Sequence, residues 1–120
     1  EMQRSLVGSE MCIRDRLDDY LYSGTAASIG IPTVKYFADK ICLSPNYFGD
    51  LVKQETGKTA QEYIQLKMIA VAKERMLDPA GTIKQIAESL GFQHPQHFVR
   101  FFKRQEGYTP KEFRNKMMAS

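Results

Sequence analysis

His94 and His97 stand three residues apart, a spacing that sets two imidazoles on one face of a helix and can begin a divalent-metal site. A tetrahedral site needs further ligands, and no Cys, Asp or Glu stands near enough in the sequence to complete the set. Between and beyond them, Gln96 offers a planar amide and Arg100 a planar fork of donors. Both suit paired hydrogen bonds to a flat polar edge. The stretch that holds all four, "GFQHPQHFVRFFKRQEG", residues 91–107, also carries three phenylalanines and a basic cluster. Its chemistry therefore depends on which side chains the fold turns inward.

The elements that would position these residues emerge from an internal repeat. Residues 34–63 laid over residues 83–113 track each other. At a spacing of 49, Val34, Phe37, Ala38 and Ile41 match Ile83, Ile86, Ala87 and Leu90. At a spacing of 50, Pro45, Phe48, Leu51, Val52, Lys53, Gly57, Thr59 and Glu62 match Pro95, Phe98, Phe101, Phe102, Lys103, Gly107, Thr109 and Glu112. The one-residue insertion between the two blocks belongs in a turn, where chains tolerate it.

Each copy reads as helix, turn, helix. In the second, Thr82 and Gln85 form a capping-box pattern, and Ile83, Ile86, Ala87 and Leu90 make one apolar face. Gly91 stops that helix, since glycine enters the left-handed conformation without steric penalty. Pro95 starts the next at a position where its missing N–H is not needed. Phe98, Phe101 and Phe102 then give it a core face, and Gly107 ends it. The first copy repeats the plan with Ser44 as cap, Pro45 at the first helical position, and Phe48, Leu51 and Val52 buried. Cys42 occupies the place of Gly91, so a differently shaped first turn is expected.

Elsewhere, residues 9–24 place Ile13, Leu17, Tyr20 and Leu21 on one stripe between a Ser9 cap and a Ser-Gly stop, and residues 25–32 read as a loop. Thr59 and Glu62 open a helix running to about Leu77, where "DPAG" breaks it. Thr109, Pro110 and Glu112 open a last helix ending near Met117. No stretch alternates as a strand. The expected fold is all-α with about seven helices: two helix-turn-helix subdomains joined by a long linker helix. The expected division is a disordered or junction segment at 1–8, a first subdomain at 9–58, a linker helix at 59–78 and a second subdomain at 79–120.

Composition agrees with a packed globular chain: 120 residues, 42% hydrophobic and 26% charged. The longest apolar run, residues 68–72, is far short of the ~20 residues that cross a membrane, so no membrane partner is expected. The two cysteines, Cys12 and Cys42, form no paired motif and suggest a reducing compartment. Net charge is +3, divided as −1 over residues 1–60 and +4 over residues 61–120. That surplus permits a polyanionic partner without requiring one. An enzyme is not expected, for there is no nucleophile-base pair, metal set or phosphate-cradling glycine loop, and no cofactor is implied.

The segment "IAESLGFQHPQHFVRFFKRQEGYTPKEFR", residues 86–114, resembles the signature of the AraC/XylS family of bacterial transcription regulators. The matching positions are Ala87, Gly91, Phe92, Phe98, Phe102, Lys103, Gly107, Thr109, Pro110, Phe113 and Arg114. The first repeat is also family-like, so the resemblance covers roughly residues 31–116. It implies a double-stranded DNA-binding domain with two helix-turn-helix units, usually attached to a sensory or dimerisation domain, with RNA polymerase as a further candidate partner. It also makes activation the commoner role and the cytoplasm, on the nucleoid, the expected location.

The residues left over after packing are then the candidate readers. On the second recognition helix, about residues 95–106, these are Gln96, His97, Arg100 and, just before it, His94. Arg100 suits guanine O6 and N7, and Gln96 suits adenine N6 and N7. The first recognition helix, about residues 45–56, offers Asn46 and Tyr47, but also Gly49, which has no side chain, and Asp50, which repels phosphates. It is expected to be the weaker reader. Lys53, Lys58, Lys84, Lys103 and Arg104 are candidates for phosphate contacts. A linker of ~28 Å could hold the two recognition helices in major grooves ~34 Å apart. An all-helical protein-interaction module is the alternative, because a fold does not fix a function.

Overall fold

The structure, a computed structural model, describes residues 15–119, apart from the side chains of residues 118 and 119. The expected segment at 1–8, the Ser9 cap, Ile13 and Cys12 lie outside the described residues. The described chain contains eight helices and no strand. They are α1 (residues 15–22), α2 (Thr25–Ile29), α3 (Val34–Lys40), α4 (Pro45–Thr56), α5 (Ala60–Met76), α6 (Ile83–Ser89), α7 (Pro95–Glu106) and α8 (Pro110–Ala119). The count exceeds the expected seven by α2, which occupies the stretch read as a loop. Five residues between two left-handed or extended glycines are too few to display a helical period.

Helix starts follow the sequence closely. The Ser44 and Thr33 hydroxyls accept from the Tyr47 and Tyr36 amides and cap α4 and α3. Thr59 with Glu62, and Thr82 with Gln85, form reciprocal capping boxes on α5 and α6. Thr109 and Glu112 exchange the same pair of bonds before α8. The carboxyls of Glu62 and Glu112 are held below the usual carboxylate range, first by the bonds from Thr59 and Thr109 and then by nearby lysines.

The two turns are more alike than the Cys42 substitution suggests. Cys42 has φ 59° and Gly91 φ 101°, both left-handed. In each, the next amide reaches back to the preceding helix, Leu43 N–H to Ala38 O and Phe92 N–H to Ala87 O. The turn geometry is thus set by these bonds, and Cys42 carries the backbone strain that glycine avoids. Gly91 answers a second constraint. A Cβ there would lie 2.3 Å from the carbonyl carbon of Gly30, because the loop after α2 passes directly over it.

The core is one cluster running from Leu17 on α1 to Phe113 on α8. Its centre is α5, whose buried residues Ala60, Ile64, Met68, Ile69, Val71, Ala72 and Met76 spread over about half the helix circumference at 3.6 residues per turn. The helix packs on α3 and α4 and on α6. Polar ties add to this: Lys67 pairs with Asp18 of α1 at 2.7 Å, and Lys73 pairs with Glu106 of α7. Arg114 donates to Met76 O at 3.2 Å and Asp78 O at 3.3 Å, closing the C-terminal end of α5. In the second unit Phe98 and Phe102 are fully buried, but Phe101 is only half-buried and leans on Phe92 at the edge. The phenylalanine stripe is therefore narrower than its spacing suggests.

Two stability predictions follow from this geometry. Gly91→Ala should destabilise by about 2 to 4 kcal/mol, joining left-handed strain to a displaced neighbour backbone. Gly107→Ala, at φ 89° with nothing within 4 Å of the added carbon, should cost only about 1 kcal/mol. Urea denaturation of the two variants measures the difference, and equal costs would remove the role given to the Gly30 contact. For the capping boxes, the lowered Glu62 and Glu112 values mean that the unfolded chain binds protons more readily. Their contribution is complete above the ordinary carboxylate value of 4.5 and is lost as pH falls through the lower folded values. Glu62→Gln, which keeps a capping partner of the kind Gln85 provides, should flatten the fall of the urea midpoint below pH 5.

Candidate nucleic-acid interface

Each helix-turn-helix unit buries one side of its second helix and leaves the other to solvent. On α7, Phe98 and Phe102 face inward, while Gln96, His97, Arg100, Lys103 and Arg104 are exposed. On α4, Phe48, Leu51 and Val52 face inward, while Asn46, Tyr47, Asp50 and Lys53 are exposed. Lys58 and Lys84 are exposed as well. Every residue expected to meet DNA is thus on the surface. The structure groups Gln96, His97 and Arg100 on the first turns of one helix, and Asn46 and Tyr47 on those of the other.

The two helix starts differ in one functional respect. Ser44 spends its hydroxyl on the cap bond, whereas His94 occupies the equivalent position in α7 and makes no side-chain cap bond. Its imidazole instead meets the His97 ring edge-on, with centroids 5.3 Å apart. The second unit forgoes a capping interaction worth about 1 kcal/mol and gains an exposed aromatic, polar edge at the helix start. Among the described residues no group of three His, Cys, Asp or Glu is placed to hold a metal, so the pair has no third ligand there.

Lysines recur with the repeat. Lys53 and Lys103, 50 residues apart, each lower the carboxyl of the capping glutamate that opens the next helix, Glu62 and Glu112. Lys58 acts on Glu62 as well. Their charges favour the ionised capping carboxylates at the N-termini of α5 and α8, where the helix amides favour negative charge as well. Lys84 stands on the first turn of α6.

Sequence reasoning did not find Arg75. This half-buried side chain on the last turn of α5 donates to Leu21 O of α1 at 2.7 Å and to the Ser89 hydroxyl of α6, with the centre of the Tyr22 ring 5.3 Å from its guanidinium carbon. Nothing in its spacing signals this, because its partners are 54 and 14 residues away. Tyr22 in turn donates to Glu74 at 2.6 Å, a bond that, with burial, pushes its hydroxyl up to about 12.

Two helix-turn-helix units, each with an exposed polar face on its second helix and joined through one helix, define the class. The model of the helix-turn-helix domain family matches residues 37–116, and the chain belongs to that family in its AraC type. Over 80 residues it is 35% identical to the transcriptional regulatory protein YesN of Bacillus subtilis, which covers 65% of this chain and 22% of that protein. The chain thus spans about a fifth of that relative's length. Its structure matches the C-terminal domain of the response regulator yesN from Fusobacterium nucleatum with TM-score 0.70 and 25% identity, over 85% of this chain and 97% of that one. It also shares its fold with the DNA-binding domain of AdpA, solved in complex with a target DNA, at TM-score 0.63 and 21% identity over 75% and 81% of the two chains.

If His94 is kept for something other than stability, His94→Ser should restore the cap and raise stability by about 1 kcal/mol. The urea midpoint measures it, and a lower midpoint for the serine variant would show that the His94–His97 contact holds the helix start.

Proposed function

We propose that the chain is the DNA-binding part of a bacterial transcription regulator, reading double-stranded DNA with α4 and α7 in successive major grooves. The observation that carries this reading is the face of α7 opposite Phe98 and Phe102, where Gln96, His97 and Arg100 are exposed together at the helix start. In helix-turn-helix proteins that half of the second helix enters the groove. Arg100 bonds guanine O6 and N7, Gln96 bonds adenine N6 and N7, and His94 and His97 supply further contacts. On α4, Asn46 reads adenine and Tyr47, half exposed, packs on a base or sugar. Gly49 and Asp50 leave that helix the weaker reader, since a carboxylate is repelled by the phosphate backbone.

Lys53, Lys58, Lys84, Lys103 and Arg104 contact phosphates and set register. The 17-residue α5 is about 25 Å long, which with the width of the flanking helices matches the ~34 Å between major-groove faces on one side of the duplex. One chain can then occupy two half-elements without a palindrome. The working division is a first unit at 9–58, the linker at 59–78 and a second unit at 79–120. In the full regulator, a sensory or dimerisation domain and RNA polymerase complete the set of partners, and the role is non-catalytic activation in the cytoplasm, on the nucleoid. No described helix is long and apolar enough to cross a membrane.

Selection of bound sequences from random duplexes at low salt tests the reading and should return two half-elements about one helical turn apart. Binding should fall steeply with salt through counterion release. On the selected duplex, Arg100→Ala should cost ~1 to 3 kcal/mol and relax preference at one base position, whereas Lys103→Ala should weaken all sequences alike. No enrichment at low salt would overturn DNA binding, and equal losses on all sequences for both substitutions would overturn the assignment of Arg100.

A further inference from the structure

Two contacts tie the first unit to the second beyond the covalent run of the linker. Arg75 is at the centre of one. It sits on the last turn of α5, yet its guanidinium reaches the C-terminal carbonyl of α1 at Leu21 and the Ser89 hydroxyl near the end of α6. The surroundings are fixed in their turn: the Ser89 hydroxyl donates to Ile86 O at 2.7 Å, and the neighbouring Tyr22 ring is held by its bond to Glu74. The second contact is the approach of Gly30 to Gly91, with α2 packed on α6. Tyr20 holds Gly30 from below, donating to its carbonyl at 2.7 Å. Since Tyr20 also packs on Tyr36 and Phe37 of α3, this chain of contacts runs from the first helix-turn-helix to the turn of the second.

We propose that Arg75 is a positioning residue for the reading of DNA: by clamping the ends of α1, α5 and α6 together it fixes the separation and angle of α4 and α7, and so the spacing of half-elements that the domain accepts. The proposal rests on the DNA-binding reading given above. Its physical basis is the steepness of duplex geometry. One added base pair moves a half-element by about 3.4 Å along the axis and turns it by about 35° around it. A rigid pair of heads cannot follow both changes. A pair joined only through the end of α5 and the loop at residues 77–82 could swivel to do so. Joint engagement of two linked heads multiplies affinity by roughly 10² to 10⁴ and is lost where geometry forbids it. Rigidity at Arg75 thereby becomes selectivity for spacing, without Arg75 touching DNA.

The experiment has a structural arm and a DNA arm. For the first, spin labels are placed on exposed Gln54 of α4 and exposed Arg104 of α7, in a background carrying Cys12→Ser and Cys42→Gly. The distance distribution should be narrow with Arg75 present and broader in Arg75→Ala and in Ser89→Ala, which removes a single partner. Arg75→Lys, keeping the charge beside Tyr22 but losing the fork, should fall between. Helical content and urea midpoint identify folded variants. For the second arm, the probes are the duplex selected by the native protein, the same duplex with one base pair added or removed between half-elements, and the stronger half-element alone. Native protein should lose about tenfold or more on the altered spacings. Arg75→Ala should bind the single half-element like native protein and lose a measurable part of that discrimination, the Gly30–Gly91 contact remaining in place. An unchanged distance distribution in folded Arg75→Ala overturns the brace. Equal loss on half-element and full duplex, with spacing preference kept, overturns the positioning role in favour of general destabilisation. No enrichment of any duplex by the native protein overturns the DNA reading and the spacing claim, while the distance measurement still decides whether Arg75 holds the heads.

Discussion

The burial of α5 is the constraint on which the rest of the molecule depends. A helix that only connected two units would need one apolar stripe at most, or none. This one buries about half its circumference in a core continuous from α1 to α8. Its charged residues then serve as ties: Lys67 to α1, Lys73 to α7, Arg75 to α1 and α6 together. Arg114, one of the positions by which the chain resembles its family, adds bonds to the last carbonyl of α5 and to Asp78 O in the loop that follows. The two helix-turn-helix units are consequently parts of one packed body and not beads on a rod.

Within that body the repeated units stay alike in the core and at exposed Lys53 and Lys103, and differ elsewhere on the outer faces of α4 and α7. Phe48 and Phe98 are both buried, as are Val52 and Phe102. On the surface, Asp50 stands where the second unit has Arg100, Gly49 where it has Val99, and Ser44 where it has His94. Near a polyanion these exchanges act in one direction, giving α7 a cation and an imidazole where α4 has a carboxylate and a hydroxyl already engaged in its cap. The asymmetry matches the charge division along the chain, with the positive surplus in the second half.

Helix starts were legible in the sequence because capping is local. Thr59 with Glu62, Thr82 with Gln85 and Thr109 with Glu112 each pair residues three apart, and the structure forms all three boxes. The repeat itself was legible because a unit that must bury one face of each helix repeats its apolar spacing. Less was visible for α2, whose five residues give no periodicity. Phe101 has the spacing of a core residue, but lies at the rim of the packed face and is half-buried.

The sequence by itself determined the helices other than α2, the three capping boxes, where the two turns fall and the residues left for the surface of α4 and α7, because all of these depend on groups within about one or two turns of each other. Only the tertiary structure decided how the two units sit together. The contact that demands glycine at 91 comes from Gly30, and the partners of Arg75 come from α1 and α6. Such contacts join residues whose distance along the chain has no fixed relation to their distance in space, so no local period or spacing announces them.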